Sequence, residues 1–160
     1  MSSSKATRIK ILNWHKIGQS QTLDIGDCTT IAGLTGQGKT TLIDAIYAGI
    51  TLDYSSFNKA ADEKSKRNLE SYVRCRIDEI DSVTGKKITN LRTGKVISAI
   101  AIEFENPKGS NFALVSHFTS ANDNAKIDLN YFLIRKLTHF EKIEFVDNDK
   151  IPYTHQEFLR

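Results

Sequence analysis

Eight consecutive residues carry the clearest chemistry in this chain: Gly33, Leu34, Thr35, Gly36, Gln37, Gly38, Lys39 and Thr40. They match G-x-x-x-x-G-K-[ST] in full, and Thr41 follows. This spacing suits a loop that wraps phosphate groups. Gly33, Gly36 and Gly38 permit backbone angles and a close approach that side chains would block. The amide N–H groups of such a loop, Gln37 among them, converge on phosphate oxygens, and the positive end of a following helix assists. Lys39 is spaced to reach the β- and γ-phosphates, the Thr40 hydroxyl to ligate Mg²⁺, and Thr41 to contact an earlier phosphate. The expected ligand is therefore ATP with Mg²⁺.

The flanks needed to position such a loop are both legible. CTTIAGL (28–34) is β-branched and apolar and reads as a strand running into it. KTTLIDAIYAGI has apolar residues at helical spacings, so a helix is expected from about Gly38–Lys39 to about Gly49–Leu52. Upstream, 7–14 and 22–25 read as strands, and residues 1–6 as a frayed start. Residues 53–70 are polar and basic and read as an exposed linker with a short helix at its end. SYVRCRIDEI (71–80) alternates like a strand, and 81–95 is turn-rich. VISAIAIEFEN (96–106) and NFALVSHFT (111–119) flank PKGS and form the strongest hairpin signal. KIDLNYFLIRKL (126–137) and 141–149 read as further strands, with a helical tail possible in the former. From residue 150 a helix is starting, with Pro152 near its entry and Thr154 three residues before Glu157 in capping-box spacing.

Composition bounds the rest. The chain has 160 residues and 39% hydrophobic content, which suits one α/β lobe able to bury a core. No apolar run approaches the ~18 residues of a membrane span, and the first residues lack a secretory pattern. Two cysteines make neither a disulfide scaffold nor a zinc cluster, so a reducing cytoplasmic setting is expected. Cys28 is expected to be a small core residue, and His117, His139 and His155 lack metal-ligand spacing. Net charge is +3, with the excess at Lys59, Lys64, Lys66, Arg67, Lys86, Lys87, Arg92 and Lys95. That stretch either tracks a double-stranded DNA backbone in a salt-sensitive way or is a solvated face.

ILNWHKI, IAGLTGQGKTTLIDAIYAGI and NLESYVRCRID occur in this order. Together they resemble the N-terminal head lobe of SMC-like ATPases, P-loop ATPases of the ABC-type group (AAA-type in the broad sense). Within that group they are similar to the condensin-like ATPases of bacterial plasmid-defence (Wadjet-type) systems. The resemblance covers residues 8–80 well. It implies a P-loop lobe with a β-rich, partly antiparallel subdomain, and 150–160 as the entry to a coiled coil. It also implies a C-terminal lobe, in the same or a second polypeptide, that brings the Mg²⁺-binding aspartate, the catalytic glutamate and a signature loop. Two such heads sandwich ATP and act on DNA. On this resemblance Trp14, His15 and Lys16 lie near adenine and ribose, although a Trp packed in the core fits equally. Gln156 takes the place of a Mg²⁺-contacting Gln or is an exposed helical residue. Arg74 and Arg76 face phosphate or DNA, or form a basic face.

The chain departs from that pattern in two respects. No apolar strand ends in Asp-Glu: 99–106 and 143–149 each carry an interior Glu and neither ends in Asp-Glu. No signature loop is present either. Binding of Mg-ATP is expected and turnover by these residues alone is not. Two other readings stand beside this one: a self-contained P-loop phosphotransferase, disfavoured by strands where acceptor and lid helices would lie, and a non-catalytic module for DNA or protein contact.

Overall fold

The computed structural model describes residues 3–18, 21–52, 68–81 and 85–158. Its frame is a five-stranded sheet. Strands β1 (Lys5–Leu12), β2 (Gln21–Asp24), β5 (Val96–Glu105), β6 (Asn111–Ser120) and β7 (Asp128–Leu137) lie in the order β2-β1-β5-β6-β7, and every neighbouring pair is antiparallel. A separate hairpin pairs β3 (Arg76–Asp81) with β4 (Gly85–Asn90). Helix α1 (Lys39–Thr51) crosses the large sheet; α2 (Leu69–Val73) and α3 (His155–Phe158) are short.

Strand alternation divides the core between two faces. Ile9, Ile11, Ile100, Ile102 and Phe118 point towards α1 and bury with its Ala45 and Ala48 and with Trp14, Tyr72 and Val73. Ala99, Ala101, Ala113 and Val115 point the opposite way and bury with Phe140, Ile143 and Phe145, with Phe158 of α3 packed on them. The small residues of α1 let it lie close: a Cβ at Gly49 would stand 2.7 Å from Ile102 Cδ1 and 3.0 Å from Ile100 Cγ2.

Several expectations change. β1 starts at Lys5, paired with Glu105, so residues 5 and 6, expected in a frayed start, belong to the sheet; residues 1 and 2 lie outside the described residues. Residues 28–34, expected as a strand, join no ladder. The alternation of 71–80 spans two elements: α2 ends at Val73, Cys75 takes φ 52, and β3 begins at Arg76. An Asn68–Ser71 capping box starts α2, and local capping overrides the period-2 pattern there. The turn-rich stretch 81–95 contains β4. The tail of β7 stays a strand, with a register shift opposite Phe112 and Lys136 at φ 54. Residues 141–149 form a 3₁₀ turn (Phe140–Lys142) and one isolated bridge, Val146 to Pro152, instead of a strand. The linker 53–67 lies outside the described residues. No described helix is long and apolar enough to cross a membrane.

Candidate functional site

Residues 33–41 form an exposed loop and the first turn of α1. The loop braces itself. The Leu34 N–H donates to Gln37 Oε1 at 2.8 Å, and the Gln37 N–H donates to the Leu34 carbonyl at 3.3 Å. A Cβ at position 33 would stand 2.7 Å from Gln37 Oε1 and disturb this brace, and Gly33 also takes φ +155°. Lys39 Nζ reaches back across the loop to the Gly33 and Leu34 carbonyls at 2.8 and 2.9 Å. Gly36 and Gly38 have φ of +85° and +87°, and a Cβ at either would meet nothing within 4 Å, so that side of the loop is open.

Gly38 caps α1 in the left-handed region without a side-chain bond. The first helical bond runs from the Leu42 N–H to the Gly38 carbonyl at 3.0 Å. The amides of Lys39, Thr40 and Thr41 therefore have no carbonyl one turn back. No acidic residue sits in this first turn, so its partial positive charge is left for an external anion. Free amides, an ammonium at the loop mouth and an adjacent Thr40 hydroxyl form a donor set that fits a phosphate chain carrying Mg²⁺.

Beneath the loop the three sequence motifs meet. Trp14 is fully buried and stacks on Tyr72 at 4.8 Å, with Phe118 at 5.6 Å. Its indole N–H donates to the Thr41 carbonyl at 3.2 Å. The Tyr72 hydroxyl donates to Asp44, a carboxylate only 6% exposed in the second turn of α1. The His15 N–H donates to the Tyr72 carbonyl at 2.7 Å. Trp14 is thus a support under the helix and offers no open face to an adenine ring. His15 packs against Tyr72, ring centroids 5.7 Å apart, and Lys16 is exposed. Asp44 and Tyr72 were not singled out from sequence. The available signal was a carboxylate on a helix otherwise lined with Leu, Ile and Ala.

Arg74 is buried, and its guanidinium is engaged inside the protein. Nη1 donates to Asp123 at 3.1 Å and to the Gly94 carbonyl at 3.3 Å, and Nη2 to Ser120 Oγ at 2.8 Å. That placement removes it from phosphate or DNA. Arg76 is exposed at the start of β3. Arg92 donates to the carbonyls of Val73, His15 and Ile17, and burial lowers its pKa. Lys95 is exposed, Lys86 and Lys87 lie on β4, and Lys59, Lys64, Lys66 and Arg67 are outside the described residues. Gln156 belongs to α3, which packs on the sheet face opposite α1, so it does not join Thr40. Cys28 is exposed rather than a core residue. His117 and His155 sit with Phe132 and Phe158 on the α3 side. Among the described residues no group of three or more His, Cys, Asp or Glu could hold a metal.

A family model described as the P-loop containing region of AAA domain matches residues 6–64, the span from β1 through the loop and α1. No curated protein matches the chain. Loop geometry and the family model agree, and the chain carries a P-loop nucleotide-binding region.

Proposed function

We propose that the chain binds Mg-ATP through Gly33–Thr41 as the N-terminal half of an SMC-like ATPase head in DNA maintenance or plasmid defence. Hydrolysis then requires a C-terminal lobe that supplies the metal-binding aspartate and the general base. One observation carries the half-site reading: residues 28–34 approach the loop with no sheet partner. Among the described residues, none of their N–H groups donates to a backbone carbonyl. Residues 28–32 of this β-branched, apolar stretch have no backbone partner among the described residues, which leaves an open ladder position for a strand from elsewhere. Beside it, α1 leaves Ile43, Tyr47 and Ile50 at 52%, 39% and 45% exposure, and Leu34 at 75%. An apolar flank of this kind suits a covering lobe.

In this mechanism the amides of Lys39–Thr41 bind and orient the phosphate chain. Lys39 exchanges loop carbonyls for phosphate oxygens. The Thr40 hydroxyl would help hold Mg²⁺, which when bound would neutralise charge on the phosphate oxygens. The described residues of this chain hold and align the nucleotide, and the proton-accepting step belongs to the second lobe. Heads pair on ATP, and exposed Arg76 and Lys95, with Lys86 and Lys87 on β4, are the candidates for duplex DNA.

An ATPase assay tests this reading, run on the chain alone and with a separately expressed C-terminal lobe. Turnover is expected only with both, and is abolished by Lys39→Ala. Robust turnover by the chain alone, lost in Lys39→Ala, overturns the half-site reading.

A further inference from the structure

The first turn of α1 has to be aimed as well as exposed, and apolar packing is by itself non-directional. The helix rests on the sheet through Ala45, Ala48 and Gly49, with Leu42 and Ile46 partly buried beside them. To this packing the structure adds two directional polar contacts. The Trp14 indole N–H bonds the Thr41 carbonyl within the phosphate-facing turn, and the Tyr72 hydroxyl bonds Asp44, three residues further on. Both lead to one residue. Tyr72 holds Asp44 through its hydroxyl, Trp14 through its ring, and the turn after β1 through its carbonyl, which accepts from the His15 N–H.

Tyr72 is itself rigidly mounted. The Asn68–Ser71 capping box fixes the start of α2, and the buried Arg74 anchors its end to Gly94, Ser120 and Asp123. We propose that Tyr72 is a positioning residue for the phosphate loop. It acts through Asp44 and Trp14 to set the rotation at which α1 presents Lys39, Thr40 and Thr41. This rests on the nucleotide reading above. A buried carboxylate–hydroxyl pair adds little net stability over an apolar pair of the same shape, because both groups lose water. Its placement directly beneath the phosphate-facing turn points to orientation as its role.

The test is titration calorimetry of Mg-ATP into the full chain, at a temperature well below every variant's Tm so that all are folded. Tyr72→Phe keeps the stacking on Trp14 and removes the hydroxyl; Asp44→Leu removes the acceptor. Each is expected to weaken binding about tenfold. The double variant is expected to bind no worse than the weaker single one, the signature of one shared interaction. Phe140→Leu, in the cluster on the far face of the sheet, lowers Tm but leaves the Kd within about twofold. Three results overturn the inference: Tyr72→Phe binding like the wild type, losses that multiply in the double variant, or Phe140→Leu losing as much as Tyr72→Phe. Absence of binding by the wild type overturns the nucleotide reading itself, and this inference with it.

Discussion

Lys39 shows the chemistry of the loop at its smallest scale. Its ammonium is held by two loop carbonyls in an exposed setting, so Lys39→Ala should change the stability of the free chain by no more than about 0.5 kcal/mol. Its effect should appear with ligand. Mg-ATP at a hundredfold excess over Kd stabilises the wild type by about 2.7 kcal/mol, roughly 5–10 °C in Tm for a chain of this size. In Lys39→Ala that shift should vanish in a thermal melt. His117 makes a separate prediction on the other face. It is 1% exposed, its Nε2 lies 3.0 Å from the Tyr153 carbonyl, and its ring stacks on Phe158. Burial holds its pKa below the ordinary 6.5, and the nearby His155 lowers it further. The folded state therefore resists a proton that the unfolded chain accepts. Stability should fall as pH drops below 6.5, by up to about 1.4 kcal/mol per pH unit, and His117→Phe should flatten that slope in pH-dependent melts. The bond from Arg8 holds the Glu103 carboxyl below its ordinary 4.5, so the loss of the stabilisation Glu103 gives sets in only below pH 4.5, lower than the onset for His117. Residue by residue, the loop was legible because its spacing encodes backbone geometry. Trp14, Arg74 and Gln156 were not, because whether an aromatic or polar side chain points at a ligand or into the core depends on strands distant in sequence.

Among the elements, α1 was read to within a residue or two, and so was the β5–β6 hairpin. In both the periodicity of one segment decides the outcome. Residues 28–34 and 71–80 were misread for opposite reasons. The first has strand composition, but a strand exists only with a partner. The second has strand alternation, but the Asn68–Ser71 box had already started a helix. The contact between α1 and β5 is tight enough to test. Ala in place of Gly gains at most about 1 kcal/mol in a helix interior. At position 49 the added carbon meets Ile102 Cδ1 at 2.7 Å and the β-branched Ile100 at 3.0 Å, and overpacking costs about 1–3 kcal/mol. Gly49→Ala should therefore destabilise by about 1 kcal/mol in urea melts. Ile102→Val removes the closest atom. Alone it should cost about 0.5–1.5 kcal/mol, and in the Gly49→Ala background it should recover stability. A loss equal in both backgrounds would show that the helix shifts away rather than resting on Ile102.

For the molecule as a whole, the question is what the apolar flank of α1 is for. Ile43, Tyr47 and Ile50 are spaced four and three residues apart, which aligns them along one stripe of the helix. The stripe is not needed for the core, because α1 already buries Ala45, Ala48 and Gly49 against the sheet. β7 offers a contrasting apolar surface, with Leu129, Tyr131 and Leu133 at 36%, 44% and 51% exposure on an edge strand. If the α1 stripe is the seat of a second lobe, Ile43→Glu with Ile50→Glu should leave the fold within about 1 kcal/mol of wild type, since both positions are exposed. The same pair should reduce self-association of the isolated chain in light scattering. It should also abolish the ATP turnover restored by the complementing lobe, while Mg-ATP binding by the chain alone persists. Leu133→Glu, equally exposed but away from the stripe, should leave turnover intact. The two variants separate a specific seat from general stickiness: if both abolish turnover, apolar exposure alone explains the association, and if neither does, the second lobe docks elsewhere.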